Sequence, residues 1–249
     1  ERPGSLRPRR AVIVSQLRMG VDLIIRTASF QITFAVATTA AAAAGVASLG
    51  AHHLAQQLWS LYTLVLDSVA IAAQSLVGAA LGAGLAAHGR ALARAVVLWS
   101  VTLGAVLAIV TISLRHQLAG MLAGDAEVAS RLVVALVGMA VVVIPAAIVF
   151  GLDGVLLGSG DAAYLRTTTV IAALAGFLPV LLATHYFGWG LAGIWWGMGT
   201  FVVMRLIAVA IRVRGDRWMV LGAHTPGRTP DVAAGEDTGV GSQTGGQTG

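Results

Sequence analysis

Cysteine, lysine and asparagine are absent from this chain, and acids are scarce, with 11 Asp and Glu in 249 residues. Without cysteine there is no disulfide and no thiolate metal site, so the redox compartment stays open. Only 11% of residues are charged while 57% are hydrophobic. Soluble domains carry about 25% charged residues, and a soluble fold of this length could not clothe its surface with fewer than half of that. The charge is missing in blocks. Thr27–Leu66, Ser68–Gly89, Ala95–Leu114, Leu132–Leu152 and Thr167–Met204 each lack Asp, Glu, Lys and Arg. An apolar run of about 18 residues or more is long enough to cross a bilayer. With a mean hydropathy of +0.84, the sequence is that of an all-α integral membrane protein.

The lengths of these runs set the number of crossings. Thr27–Leu66 as one helix would be about 60 Å long, roughly twice the hydrocarbon thickness, so it turns, and GVASLGAHH (45–53) offers glycines and a polar pair. Thr167–Met204 divides in the same way at HYFGWG (185–190). The spans expected are 20–44, 52–79, 91–114, 128–151, 164–186 and 189–211, a six-helix membrane lobe over 19–213. Residues 1–18 read as a polar cytoplasmic linker without a cleavable signal, and 214–249 as a cytoplasmic disordered tail with little apolar content. All 16 basic residues are arginine. They gather at the ends of apolar runs rather than on one basic face, so the pI near 10.9 reports topology and not a nucleic-acid partner. Arg2, Arg7, Arg9, Arg10, Arg18, Arg90, Arg94, Arg166 and Arg205–Arg217 fall on one side of the bilayer. By the positive-inside rule both termini are cytoplasmic. Arginine without lysine or asparagine reads as GC-rich, bacterial codon usage, hence a bacterial cytoplasmic membrane.

Polar groups within the spans are the candidates for function. Asp67 lies mid-span in LYTLVLDSVAIAAQSLVG, where a charged acid costs at least about 2.5–3.5 kcal/mol on insertion scales. It is either a protonatable group on a transport path or a structural acid bonded to a neighbouring helix. Gln31, Gln56 and Gln74 are candidate ligand contacts, with interhelical hydrogen bonding as the plainer reading, which also covers Gln57. Asp22 and Arg26 are four apart and expected to pair along one helix face, in a structural or gating role. His52 and His53 are expected at the outer turn, in solvent. Pro145 and Pro179 sit inside spans and mark candidate kinks. Gly193 and Gly197 have the spacing that lets helices approach closely.

One segment, GLDGVLLGSGDAAYLR (151–166), mixes acids and glycines. It is expected to be a cytoplasmic elbow, with Gly151 and Gly154 releasing the chain from the fourth span, Gly158 and Gly160 turning it back and Asp161 capping the fifth. Asp153 and Asp161 are expected to satisfy helix amides or cytoplasmic arginines. No HExxH, Cys/His cluster, Walker lysine or serine triad is present, so no enzyme and no cofactor is expected.

RMGVDLIIRTASFQ (18–31), LGAHHLAQQLWSLYTLVLDSVAIAAQSLVGAALGAG (49–84) and GLDGVLLGSGDAAYLR together resemble the C-terminal half of multidrug and toxic compound extrusion (MATE) transporters, closest to the DNA-damage-inducible F-like branch. The match follows an order: acid–x3–Arg, then LDxxAxAxQxLVG, then LDGxxxGxGD. The resemblance implies a twelve-helix transporter of two six-helix lobes that binds drugs between them and exports them against protons or sodium. Asp67 and Asp153 would then fall on recurring acids of the C-terminal lobe. The coupling acid of this branch is implied to lie in the other lobe. The fourth span read as VVALVGMAVVVIPAAIVF holds no acid, which favours the proton over sodium.

The reading is therefore efflux of a drug or organic cation by proton antiport. The partners are the lipid bilayer and either the missing N-terminal lobe or a second subunit. A lipid-linked precursor flippase, a half-size membrane scaffold and a truncated, nonfunctional product are the alternatives. As the C-terminal lobe of such a transporter, the chain is expected to have about six further helices encoded upstream. Purified chain is expected to stay monodisperse only in detergent or lipid; a monodisperse peak on size exclusion in plain buffer would refute the membrane assignment.

Overall fold

The computed structural model describes residues 10–219, apart from the side chains of Arg10, Ala11, Val12 and Ser15. It holds six helices long and apolar enough to cross a membrane. They are α1 (Arg10–Ala43), α2 (Val46–Gly82), α3 (Ala86–Leu122) and α4 (Ala126–Gly158), then α5 (Ala162–Phe187) and α6 (Gly190–Arg214). The chain turns between α1 and α2 at Ala44–Gly45, where Gly45 takes φ 109°. Between α5 and α6 it turns at Gly188, whose φ of 67° gives the left-handed cap that only glycine adopts without strain.

Helices run past the expected spans at most ends. Residues 10–18, expected as linker, continue α1, because a helix satisfies its own amides and need not stop where the bilayer does. The start of the expected tail is also ordered. Beyond α6, Trp218 is 1% exposed and its Nε1 donates to the Val213 carbonyl at 3.0 Å. Arg90, at the start of α3, pairs with Asp216. The rest of the expected tail, 220–249, and residues 1–9 with Arg2, Arg7 and Arg9 lie outside the described residues.

α4 is the most apolar helix and the centre of the lobe, lying against α2, α3 and α6, while α1 lies mainly along α5. Leu132, Leu136, Met139, Val143 and Val155 of α4 are fully buried. Its inner half corrects the expected elbow. Gly151 and Gly154 do not release the chain; both are helical and buried, and α4 continues to Gly158. A Cβ on Gly154 would run into the Ala70 carbonyl of α2, one on Gly151 into Ser100 of α3, and one on Gly158 would come within 2.5 Å of the Gln74 carbonyl. The glycines form a stripe along which α2 and α3 press onto α4, the device used where lipid supplies no hydrophobic drive between helices. The elbow itself is only Ser159–Asp161. Away from the stripe, the Tyr62 hydroxyl and Thr111 Oγ1 share a hydrogen bond at 2.7 Å between α2 and α3.

The two spanning prolines behave differently. α4 runs unbroken through Pro145. In α5, a π-helical stretch, Ala172–Phe177, precedes Pro179. Pro179 has no N–H and its ring crowds the carbonyl four residues back, and the wider turn relieves that crowding. Thr200 of α6 donates to the Gly176 carbonyl at 3.1 Å within this stretch. Gly193 and Gly197 of α6 face Thr184 and Phe177 of α5.

Bulky side chains such as Leu64, Ile71, Leu98, Trp99 and Ile109 are exposed on the outside of the lobe, as lipid contact requires. The glycine stripe generates a prediction. Gly154→Ala is expected to cost about 1–3 kcal/mol through overpacking, read as a lower melting temperature in detergent. Gly120→Ala, where a Cβ meets nothing within 4 Å, is expected to leave melting unchanged or raise it slightly.

Candidate functional site

A cavity of about 300 Å³ opens between α1, α2, α4 and α6, lined on α1 by Arg26, Phe30, Gln31 and Phe34, on α2 by Gln56, Trp59 and Asp67, and on α6 by Phe201 and Arg205. Its charged end is built on Asp153, a buried α4 carboxylate whose side chain is 3% exposed. Arg205 Nη2 donates to Oδ1 at 3.0 Å and to Oδ2 at 2.8 Å. Arg26 Nη2 donates to the same Oδ2 at 2.5 Å. One acid thus joins α1, α4 and α6. Phe30 lies beneath both cations, 4.7 Å from the Arg205 guanidinium carbon and 5.6 Å from that of Arg26, so its ring face adds cation–π attraction. Phe201 meets Phe30 edge-on at 5.3 Å.

Two further ion pairs lie toward the end of the lobe where α4 turns into α5. Arg166 of α5 pairs with Asp22 of α1 at 2.5 Å, and Arg212 of α6 pairs with Asp161 at 2.6 Å. Arg212 lies over the Tyr164 ring at 4.8 Å, and the Tyr164 hydroxyl donates to the Ala208 carbonyl at 2.8 Å.

Several expected pairings are overturned. Asp22 and Arg26 do not bind each other; each reaches a different helix. An i,i+4 pair is worth only about 0.3–0.5 kcal/mol, whereas the buried Asp153 and the neighbouring Arg166 each need a counter-charge. Asp161 occupies the N-cap position of α5 but makes no side-chain cap bond; of the two partners expected for it, helix amides or an arginine, it takes the arginine, Arg212. Asp153 is not in a loop. It belongs to α4, so the fourth helix does carry an acid. His52 is not in solvent either: it is 2% exposed, 6.2 Å from the Trp195 ring, and both its ring nitrogens lack a partner among the described residues. His53 is exposed.

Of the candidate contacts, Asp67, Gln31 and Gln56 come together around the cavity, while Gln74 is exposed outside it and contributes its backbone to the Gly158 contact. Asp67 is exposed to the open side of the lobe and, among the described residues, has neither a hydrogen bond nor an ion pair. The other described acids each have a partner or a cap. Among the described residues no three His, Cys, Asp or Glu side chains converge as a metal site would require.

Sequence reasoning counted Arg205 among the cytoplasmic end charges. Its place inside the expected span 189–211 was the available signal that it needed a buried partner. The ring lining of Phe30, Phe34 and Trp59 carried no such signal, since aromatic residues in an apolar helix read equally well as core or lipid contact.

This arrangement has relatives. The MatE family profile matches residues 23–182. The chain is 32% identical over 210 residues to Protein DETOXIFICATION 44, chloroplastic, of Arabidopsis thaliana, covering 82% of this chain and 39% of that protein. It is 27% identical over 207 residues to Protein DETOXIFICATION 45, chloroplastic, of the same plant, covering 82% of this chain and 37% of that protein. It therefore spans about two fifths of the length of these curated relatives. In fold it is similar to a multidrug resistance MATE family transporter of the MOP superfamily in an outward-facing conformation, with TM-score 0.76, 15% identity and coverage of 86% of this chain and 48% of that one. It is also similar to the Vibrio cholerae MATE transporter VcmN in its bent form, with TM-score 0.71, 19% identity and coverage of 80% and 44%.

The shared carboxylate has a measurable consequence. Asp153→Asn leaves two guanidinium groups facing a neutral amide and is expected to cost about 3–5 kcal/mol. Arg212→Gln, at a pair that is partly exposed, is expected to cost about 1 kcal/mol or less. Thermal melting of both variants in one detergent checks the order.

Proposed function

From the premise that this chain belongs to the MatE family of transporters, we propose that it is the C-terminal six-helix lobe of a two-lobe efflux antiporter. Asp67 is the group on which a cationic, amphiphilic substrate and a proton compete. The observation that carries this reading is the state of Asp67: an acid in a membrane helix, at the edge of an aromatic-lined cavity, with no partner among the described residues. An acid left unpaired in lipid is costly unless it meets water or a ligand. A carboxylate that either holds a proton or neutralises a bound cation makes the two binding events exclude each other, which is the requirement for exchange. Phe30, Phe34 and Trp59 supply flat apolar surface for an organic body, and Gln31 and Gln56 supply adaptable hydrogen bonds.

Placement in the C-terminal half and in the DNA-damage-inducible F-like branch rests on the order of the three motifs, and the proton rather than sodium rests on that same likeness. Asp22 on α1 and Asp153 on α4 are each held by guanidinium groups, which argues against a sodium ion at either. A bacterial cytoplasmic membrane is supported by composition alone; the curated relatives above are plant proteins, and both are chloroplastic. In cells lacking their own pumps and expressing the two-lobe transporter, Asp67→Asn is expected to lower the efflux of a lipophilic cation roughly tenfold or more while melting stays at the wild-type value. Unchanged efflux would remove Asp67 from the mechanism.

A further inference from the structure

We propose that one phospholipid molecule occupies a second cleft, between the ends of α1, α5 and α6, with an acyl chain along α1 and its phosphate at Arg131 of α4.

The cleft follows from small side chains. The end of α1 reads ATTAAAAA (37–44), and the α5–α6 turn beside it carries Gly188 and Gly190. Neither fills the space between them. An opening of about 620 Å³ remains, lined by Val36, Ala40 and Ala43 of α1, Leu181 and His185 of α5 and Ile194 of α6. It is separate from the cavity that holds Asp67. At about 100° per residue, Val36, Ala40 and Ala43 lie on one flank of α1 and Phe30, Gln31 and Phe34 on the other, with Ala37 and Ala41 fully buried between them. A partner lobe seated across that cavity leaves this flank to lipid.

Depth, level and charge each fit a phospholipid. From residue 44 back to residue 36 the cleft follows α1 for about 12 Å, most of a leaflet of about 15 Å. The hydroxyls of Thr39 and Thr184 that line it donate to carbonyls of their own helices at 3.0 and 2.8 Å, so its depth offers apolar surface to a chain. At its mouth Tyr186, Phe187 and Trp189 stand exposed, ring against ring, the aromatic belt that marks headgroup level. Arg131 borders the cleft. Its ion-pair partner, Glu127, is 3.8 Å away, beyond hydrogen-bonding distance, and both side chains stand largely in solvent. So loose a pair contributes little and leaves the guanidinium fork free to take two phosphate oxygens. His185 supplies a further donor to the same group. A groove of similar size, about 650 Å³ between α2 and α3, has no charged residue in its lining. It can admit a chain but has no cation for a headgroup, which makes it the internal control.

The test uses the full chain in dodecyl maltoside, a detergent without phosphate. The probes are phosphatidylglycerol and diacylglycerol, each with a photoreactive diazirine on one acyl chain, and crosslinks are mapped by peptide mass spectrometry. Phosphatidylglycerol is expected to label the cleft (36–44 and 181–185) about fivefold or more over the groove (68–76 and 92–106), and diacylglycerol to label the two within about twofold of each other. Arg131→Gln is expected to reduce the phosphatidylglycerol ratio to that of diacylglycerol with the melting temperature unchanged. Equal labelling of cleft and groove by phosphatidylglycerol in the wild-type chain, a comparison that needs no variant, reduces the cleft to ordinary lipid contact and overturns the inference. Labelling of the groove alone means that protein, such as a second copy, covers the cleft, and overturns it as well. A ratio undiminished in Arg131→Gln overturns the placement of the phosphate.

Discussion

Asp153 is the point on which the lobe is hung. A carboxylate this deeply buried survives only if its oxygens are occupied, and three hydrogen bonds from two guanidinium nitrogens, one on α1 and one on α6, occupy them. The arrangement does more than offset a desolvation penalty. It fixes the rotation of α1 and α6 about their own axes, because each must aim an arginine at the same atoms of α4. The rings of Phe30 and Phe201 then fall between these helices, and the cavity is the space left beside them. Its position, its charge and its aromatic wall follow from one acid.

The remaining contacts are of a different kind. α4 meets α2 and α3 along glycines and small side chains, with backbone lying against backbone. α1 has few such contacts and depends on Asp22 and Arg26 to reach its neighbours. The lobe therefore combines helices packed closely on and around α4 with an α1 tied in largely by ion pairs. Dispersion holds the first and weakens steeply with any separation. Charge holds the second, and an ion pair can be exchanged for another of the same sign pattern.

The fold was legible because lipid imposes a simple rule: long uncharged runs must be helices, and their number follows from length. The breaks at Gly45 and Gly188 were placed within a residue or a few, since glycine interrupts these runs at the two sites where the arithmetic demands a turn. The site was legible only in part. Asp67, Gln31 and Gln56 stood out as polar residues in apolar helices. The partner of each acid did not, because the sequence shows spacing along a helix and nothing about neighbours across the lobe. Asp22 and Arg26 looked paired for that reason. The glycines around Asp153 were misread because glycine that ends a helix and glycine that admits a neighbouring backbone look the same in a sequence. His52 was misplaced because two adjacent histidines suggested a turn, whereas α2 already runs through them, one side chain facing in and one out.

The short stretch after α6 has a consequence of its own. With Trp218 seated in the lobe and Asp216 paired with Arg90, residues 215–219 fold back beside the first turns of α3. The ends of α3 and α6 are thereby coupled at one rim of the lobe, a built-in mooring between helices that the glycine contacts do not join.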